Sequence, residues 1–79
     1  MTKEDVISKV DELLKDHMGL DQVKSEDYLE GDCGMDSLDC IECVMGCEKE
    51  FNISIQDDEI ENLNTVSDVS DIICKKLNL

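Results

Sequence analysis

Asp36-Ser37-Leu38-Asp39-Cys40-Ile41-Glu42-Cys43-Val44-Met45-Gly46-Cys47-Glu48-Lys49-Glu50-Phe51 is the stretch on which the reading of this chain turns. Placed on a wheel at 3.6 residues per turn, it carries two apolar stripes rather than one. Cys40, Cys43, Val44, Cys47 and Phe51 gather on one side, and Leu38, Ile41 and Met45 form a second, separate strip. The first is wider and longer and is the core face. The second is flanked by Asp39, Glu42 and Glu48, a small greasy strip in an acidic field that either packs on a neighbouring helix or meets a partner.

Working outward, the segment from Thr2 to His17 brings Val6, Val10, Leu13, Leu14 and His17 into one narrow arc and predicts an amphipathic helix. Thr2 with Asp5 three residues on is a relative of the capping box, and Gly19 supplies the stop. From Met18 to about Asp36 the period disappears. Gly31-Asp32-Cys33-Gly34 tolerates unusual backbone angles, and Tyr28 and Leu29 offer anchors, so this long loop is expected to be ordered. Beyond Phe51, Asn52-Ile53-Ser54-Ile55 alternates for too few residues to build a sheet. Gln56 to about Leu63, with Ile60 and Leu63 among acids, supports only a short helix. Thr65 then caps a last helix with Val66, Val69, Ile73 and Leu77 on one face and Lys75 and Lys76 in its final turn. Three principal helices and a short one predict an all-α bundle, a single domain over residues 1–79.

Composition narrows the function. Seven Lys or Arg stand against 21 Asp or Glu, a net charge of −14. Residues 26–62 alone hold thirteen acids and one Lys, so the second helix and its flanks form the negative face. Nucleic acid and anionic membranes would be repelled by such a surface. The 41% hydrophobic content excludes a disordered acidic tail, and with Tyr28 and Phe51 the only aromatics the core must be aliphatic. Five Cys is an odd count, and no apolar signal stretch precedes the polar start, so reduced thiols in the cytoplasm are expected rather than a secreted disulfide scaffold. No apolar run approaches the length of a membrane span, and a monomer is expected.

The chemistry concentrates at Asp36-Ser37-Leu38. A Ser in the first turn of a helix has free backbone N–H groups and the positive end of the macrodipole beside its hydroxyl, a setting suited to a phosphodiester. On these three residues alone, ordinary capping is the commoner explanation. The wider context changes the balance. Gly34-Met35-Asp36-Ser37-Leu38-Asp39, continued through Ile41-Glu42, Val44-Met45 and Glu48-Lys49-Glu50-Phe51 to Ile53 and Ile55, closely resembles acyl carrier proteins. The likeness extends past Asp57-Asp58-Glu59 to Thr65-Val66-Ser67-Asp68-Val69.

That resemblance implies that Ser37 receives 4'-phosphopantetheine from coenzyme A, with Asp36 as its cap and an aid to modification. The terminal thiol of the arm would then carry acyl groups as thioesters for fatty-acid, lipid or polyketide biosynthesis, with no catalysis by the chain itself. Leu38, Asp39, Ile41, Glu42, Met45 and Glu48 would be the docking surface for a phosphopantetheinyl transferase and for acyl-processing enzymes with basic patches. The chain departs from the family at Cys43 and Cys47, where an aliphatic residue is usual, and at Gly46, often larger. Smaller side chains there would alter the cavity that hosts acyl chains. A D-alanine carrier also shows Asp-Ser-Leu, and a non-acylated module using the same greasy strip is the alternative of a different class.

Other chemistries fit less well. Cys40-x2-Cys43-x3-Cys47, with Cys33, Cys74 or His17 as a fourth ligand, could hold a metal, but that face of the helix is also the core. No metal is expected. The acidic loop does not make an EF-hand, since twelve residues counted from Asp32 end at Cys43. His17, the only His, lies at a stripe position and reads as a core or helix-end residue rather than a catalytic base.

Overall fold

In the computed structural model, which describes Met1–Leu79, every helix starts where a side chain takes up the otherwise unpaired N–H groups of its first turn. Helix α1 spans Lys3–Met18, with Thr2 accepting from the Asp5 N–H and Asp5 accepting from the Thr2 N–H. Helix α2 spans Ser37–Phe51 behind the reciprocal pair Asp36 and Asp39. The short α3, Asp57–Glu61, begins with the Gln56 N–H donating to Glu59, and α4, Val66–Leu77, begins with Thr65 and Asp68. Three of the four helices end on a residue in the left-handed region: Gly19, Asn52 and Asn78, at φ 66°, 55° and 61°. Glycine meets that requirement without steric cost, and asparagine is the side chain that tolerates it best.

α1 packs mainly on α4 and also against α2, and one apolar cluster joins all three. Its members are Val6, Val10 and Leu14 of α1, Cys47 and Phe51 of α2, and Val66, Val69, Ile73 and Cys74 of α4, closed by Leu29, Cys33 and Met35 from the long connection. The core stripe of α2 is narrower than its periodicity predicts. Val44, Cys47 and Phe51 are buried, whereas Cys40 and Cys43 are only half-buried, packed against the edge of the core cluster. His17 departs from the core as well. It sits at the surface, turned to the acids of α2.

The connection 19–36 is held down chiefly by its backbone. The Leu29 N–H donates to the Asn64 carbonyl at 2.8 Å, and the Val66 and Ser67 N–H groups donate back to Asp27 and Ser25. A lone antiparallel bridge pairs Tyr28 with Thr65. Leu29, Cys33 and Met35 supply the buried side chains. Tyr28, expected to help anchor the loop, instead leaves its ring exposed, since its peptide groups are committed to the bridge and to the turn closed by Asp32.

One ion pair and one histidine–carboxylate contact fix how α1 lies on α2. Lys9 reaches Glu50 at 3.2 Å and His17 reaches Asp39 at 3.2 Å, so advancing along α1 means retreating along α2 and the two are antiparallel. At the other end Lys76 of α4 holds Glu59 of α3 at 2.9 Å.

The capping carboxylates give stability a pH dependence of known sign. Asp68 accepts the N–H groups of Thr65 and Asn64 at 3.0 and 2.9 Å, and these bonds hold its carboxyl below the ordinary range. With the folded value depressed, the contribution is complete above the unfolded carboxylate pKa and disappears as pH falls through the folded one. Asp68→Asn is therefore expected to lower the melting temperature at neutral pH, and the gap to the parent protein should close as the pH is brought down to about 2. A gap unchanged across that titration would show that the charge of Asp68 is not what supports α4.

Candidate functional site

Ser37 is fixed by what precedes it. Met35 is buried and its N–H donates to the Leu29 carbonyl at 3.0 Å, which pins the chain to the core two residues before the serine. Gly34, at φ 71°, turns the backbone into this approach. Asp36 then breaks to an extended conformation, its Oδ1 accepting from the Asp39 N–H at 2.9 Å while its own N–H donates to Asp39 Oδ2 at 3.1 Å. Ser37 is the first residue of α2 and is exposed. The N–H groups of Ser37 and Leu38 have no acceptor within the helix, so the hydroxyl lies beside free donors and the positive end of the macrodipole.

Two concavities meet beside it. Ser37 opens onto a groove with Cys40, Ile41, Ile60 and Leu63 as its apolar lining and Glu30, Asp57 and Glu61 as its acids. Behind this groove lies an interior cleft lined only by apolar side chains, from Leu13 and Leu14 of α1 through Cys40, Cys43 and Cys47 of α2 to Leu29, Met35 and Val69. Its volume is ≈ 10 Å³, room for about one water molecule at most. Cys40 and Leu63 line both spaces and form the partition between them.

The second stripe of α2 faces outward. Leu38, Ile41 and Met45 are 62%, 44% and 58% exposed, an apolar strip with Glu42 beside it. The acids around the strip have unequal tasks. The carboxyl of Asp39 is held below its ordinary range, first by the Asp36 N–H and further by His17. Glu48 accepts the Ile55 N–H at 3.1 Å and so secures the turn after α2. Periodicity could show neither the His17 contact nor the Glu48 bond, because the first depends on the tertiary fold and the second on an irregular turn. The groove acids Glu30 and Glu61 were missed for the same reason.

All five thiols are unpaired, and nowhere do three or more His, Cys, Asp or Glu side chains converge as a metal ion would require. Burial pushes the Cys43 thiol up to about 12, with the neighbouring Cys47 and Cys40 adding to it, and Cys47 up to about 11, with Glu48 contributing. Cys40 is raised too, by burial and then by Glu30.

An exposed hydroxyl at a capped helix start, beside an apolar strip and in front of an apolar interior, is an arrangement that suits a carrier domain. The model of the family described as "Phosphopantetheine attachment site" matches residues 8–73. The acyl carrier protein of Thermotoga maritima is 38% identical over 78 residues, 96% of each chain, and that of Chlorobium phaeovibrioides is 38% identical over 96% of this chain and all of its own. Among solved structures, the Thermotoga maritima acyl carrier protein superposes with a TM-score of 0.84 at 37% identity, covering 96% of this chain and 91% of its own. The Enterococcus faecalis acyl carrier protein does so at 0.80 and 32%, covering 96% and 99%. The chain belongs to the acyl carrier protein family. Its cofactor is a covalently attached 4'-phosphopantetheine, whose thiol holds acyl groups as thioesters.

The thiols give a test of the cleft. A thiol reagent at about pH 7.5 should label Cys40 first, whereas Cys43 and Cys47 should react at least about a hundredfold more slowly than a free cysteine, since only the thiolate attacks. Prompt labelling of Cys47 in the native protein would mean that α2 does not bury this face.

Proposed function

We propose that Ser37 is the residue that bears the arm, and that the chain shuttles acyl groups among enzymes of fatty-acid, lipid or polyketide biosynthesis in the cytoplasm without catalysing a step itself. The observation that carries this reading is the exposed Ser37 hydroxyl at the capped start of α2, opening onto the groove that Cys40 and Leu63 separate from the interior cleft. Of the other serines, Ser70 is buried and none of the rest begins a helix. The first-turn N–H groups suit the phosphodiester, and Glu30, Asp57 and Glu61 around the groove can accept the amide N–H groups of the arm. Five unpaired thiols support a reducing compartment.

The arm supplies a thiol, and the protein supplies placement. A chain carried on that thiol can shelter in the cleft only if α2 and α3 yield, because ≈ 10 Å³ is far less than an acyl chain needs. Thin cysteine side chains on the α2 wall ease that movement compared with leucines. Docking falls to Leu38, Ile41, Met45 and Glu42, with Asp36, Asp39 and Glu48 adding negative charge while they hold the local backbone. Partners are a phosphopantetheinyl transferase and acyl-processing enzymes with basic patches. Such a surface favours fast, salt-sensitive encounters and easy release, as a shuttle working as a monomer requires.

Mass spectrometry after exposure to coenzyme A and a phosphopantetheinyl transferase should find one pantetheinyl group on Ser37 and none on Ser37→Ala. Modification persisting in that variant would overturn the assignment. Met45→Ala should change stability by less than about 0.5 kcal/mol yet weaken the transferase, whereas Phe51→Ala should cost about 3–5 kcal/mol. Glu42→Lys should slow association most at low ionic strength, with the deficit shrinking as salt is added. Melting curves and stopped-flow association rates distinguish these outcomes.

A further inference from the structure

His17 takes no part in the reading above. It stands in the last turn of α1, and its Nε2 lies 3.2 Å from Asp39 Oδ1 and 3.7 Å from Glu42 Oε2. The contact is partly sheltered, the His17 and Asp39 side chains being 27% and 29% accessible. Asp39 meanwhile closes the capping pair with Asp36 through its other oxygen, Oδ2. One carboxylate is thus shared between two elements, with Oδ1 on the imidazole of α1 and Oδ2 on the backbone of the residue before Ser37. The ion pair between α1 and α2, Lys9 with Glu50, grips the opposite end of α2 and cannot substitute.

We propose that His17 is a positioning residue for Ser37, acting through Asp39 to lock the first turn of α2, and that its charge tunes how readily Ser37 is modified. The proposal rests on the assignment of Ser37 as the attachment residue. The groups that face the imidazole from α2 are the carboxylates of Asp39 and Glu42, and no other carboxylate comes within ion-pair distance of Nε2. On α1 itself its charged neighbours in sequence are Lys15 and Asp16, and the helix C-terminus presents its carbonyl end. As imidazolium, His17 makes a charge-assisted bond to Asp39 and attracts Glu42. As the neutral Nε2–H form it keeps the hydrogen bond to the Asp39 carboxylate but loses the attraction between opposite charges. The lock is therefore tighter with the imidazolium than with the neutral ring.

The test uses the full-length apo chain, coenzyme A and a phosphopantetheinyl transferase. Rates for His17→Ala and His17→Gln are divided by those of the parent protein at each pH from about 5.5 to 8.5, so that the transferase's own titration cancels. His17→Ala should be about two- to fivefold slower at the acid end, in kcat rather than KM, with the deficit shrinking as pH rises. His17→Gln, a neutral donor, should match the parent at the alkaline end and fall short at the acid end. In nuclear magnetic resonance spectra the Asp36 and Asp39 amide signals should move with the histidine titration in the parent and stay still in His17→Ala. A ratio of one at every pH with those amides unmoved overturns the proposal, as does a deficit confined to KM, which would make His17 merely part of the docking charge. A pH-independent loss accompanied by lower helicity also overturns it, reducing His17 to general support. The amide titration does not depend on which residue is modified, and mass spectrometry identifies that residue. Failure of the Ser37 assignment and failure of the His17 lock are thereby told apart.

Discussion

Mutual repulsion among 21 carboxylates on 79 residues is the constraint that the rest of this structure must satisfy. A compact chain with a net charge of −14 loses stability simply by being compact. The fold answers by giving acids structural work where positive potential is available. Asp5, Asp39, Glu59 and Asp68 each stand three residues into a helix and accept the N–H of the preceding cap residue. There the helix dipole and the unpaired donors favour negative charge. All four carboxyls are held below their ordinary range, each chiefly by that backbone bond. A composition that works against folding is thereby turned, at four positions, into the element that starts each helix.

The same arrangement explains how much of the molecule could be read in advance. Caps and stripes are local, so Thr2 with Asp5, Asp36 with Ser37, and Thr65 with Asp68 mark the three long helices to within a residue or so. The outward strip of Leu38, Ile41 and Met45 is likewise visible on the wheel, since it differs in direction from Val44, Cys47 and Phe51. What stayed hidden depends on tertiary register. Nothing in the neighbourhood of His17 points to Asp39, 22 residues away, and a histidine in an apolar arc looks like core until the partner helix brings acids to it. Tyr28 is the converse case, an aromatic whose backbone is indispensable and whose ring is not buried. Glu48 looked like part of a charged surface, yet its acceptor role needs the chain to double back at Ile55.

The thiols show how a core can be closed and still yielding. Cys40, Cys43 and Cys47 supply one wall of the interior cleft, where a branched aliphatic residue would bury more area. The remaining space is nonetheless only ≈ 10 Å³, so the smaller side chains leave no open cavity. Such a core gains less hydrophobic stabilisation and resists separation less. Weak cohesion along one wall is compatible with a firm seam elsewhere, and Val6, Val10, Val66 and Ile73 provide that seam between α1 and α4.

Division of labour along α2 follows from these points. Its inner face joins the core cluster through Cys47 and Phe51, its half-buried cysteines line the interior cleft, and its outer strip stays exposed. A single helix can present all three faces only if its position is set at its ends, because a shift of one face is a shift of the others. Met35 and the capping pair hold its start, Lys9 with Glu50 and the Glu48 turn hold its end, and both ends are tied by polar bonds that do not occupy the apolar surface between them. Polar ties at both ends hold Ser37 in place independently of how the apolar wall between them is packed.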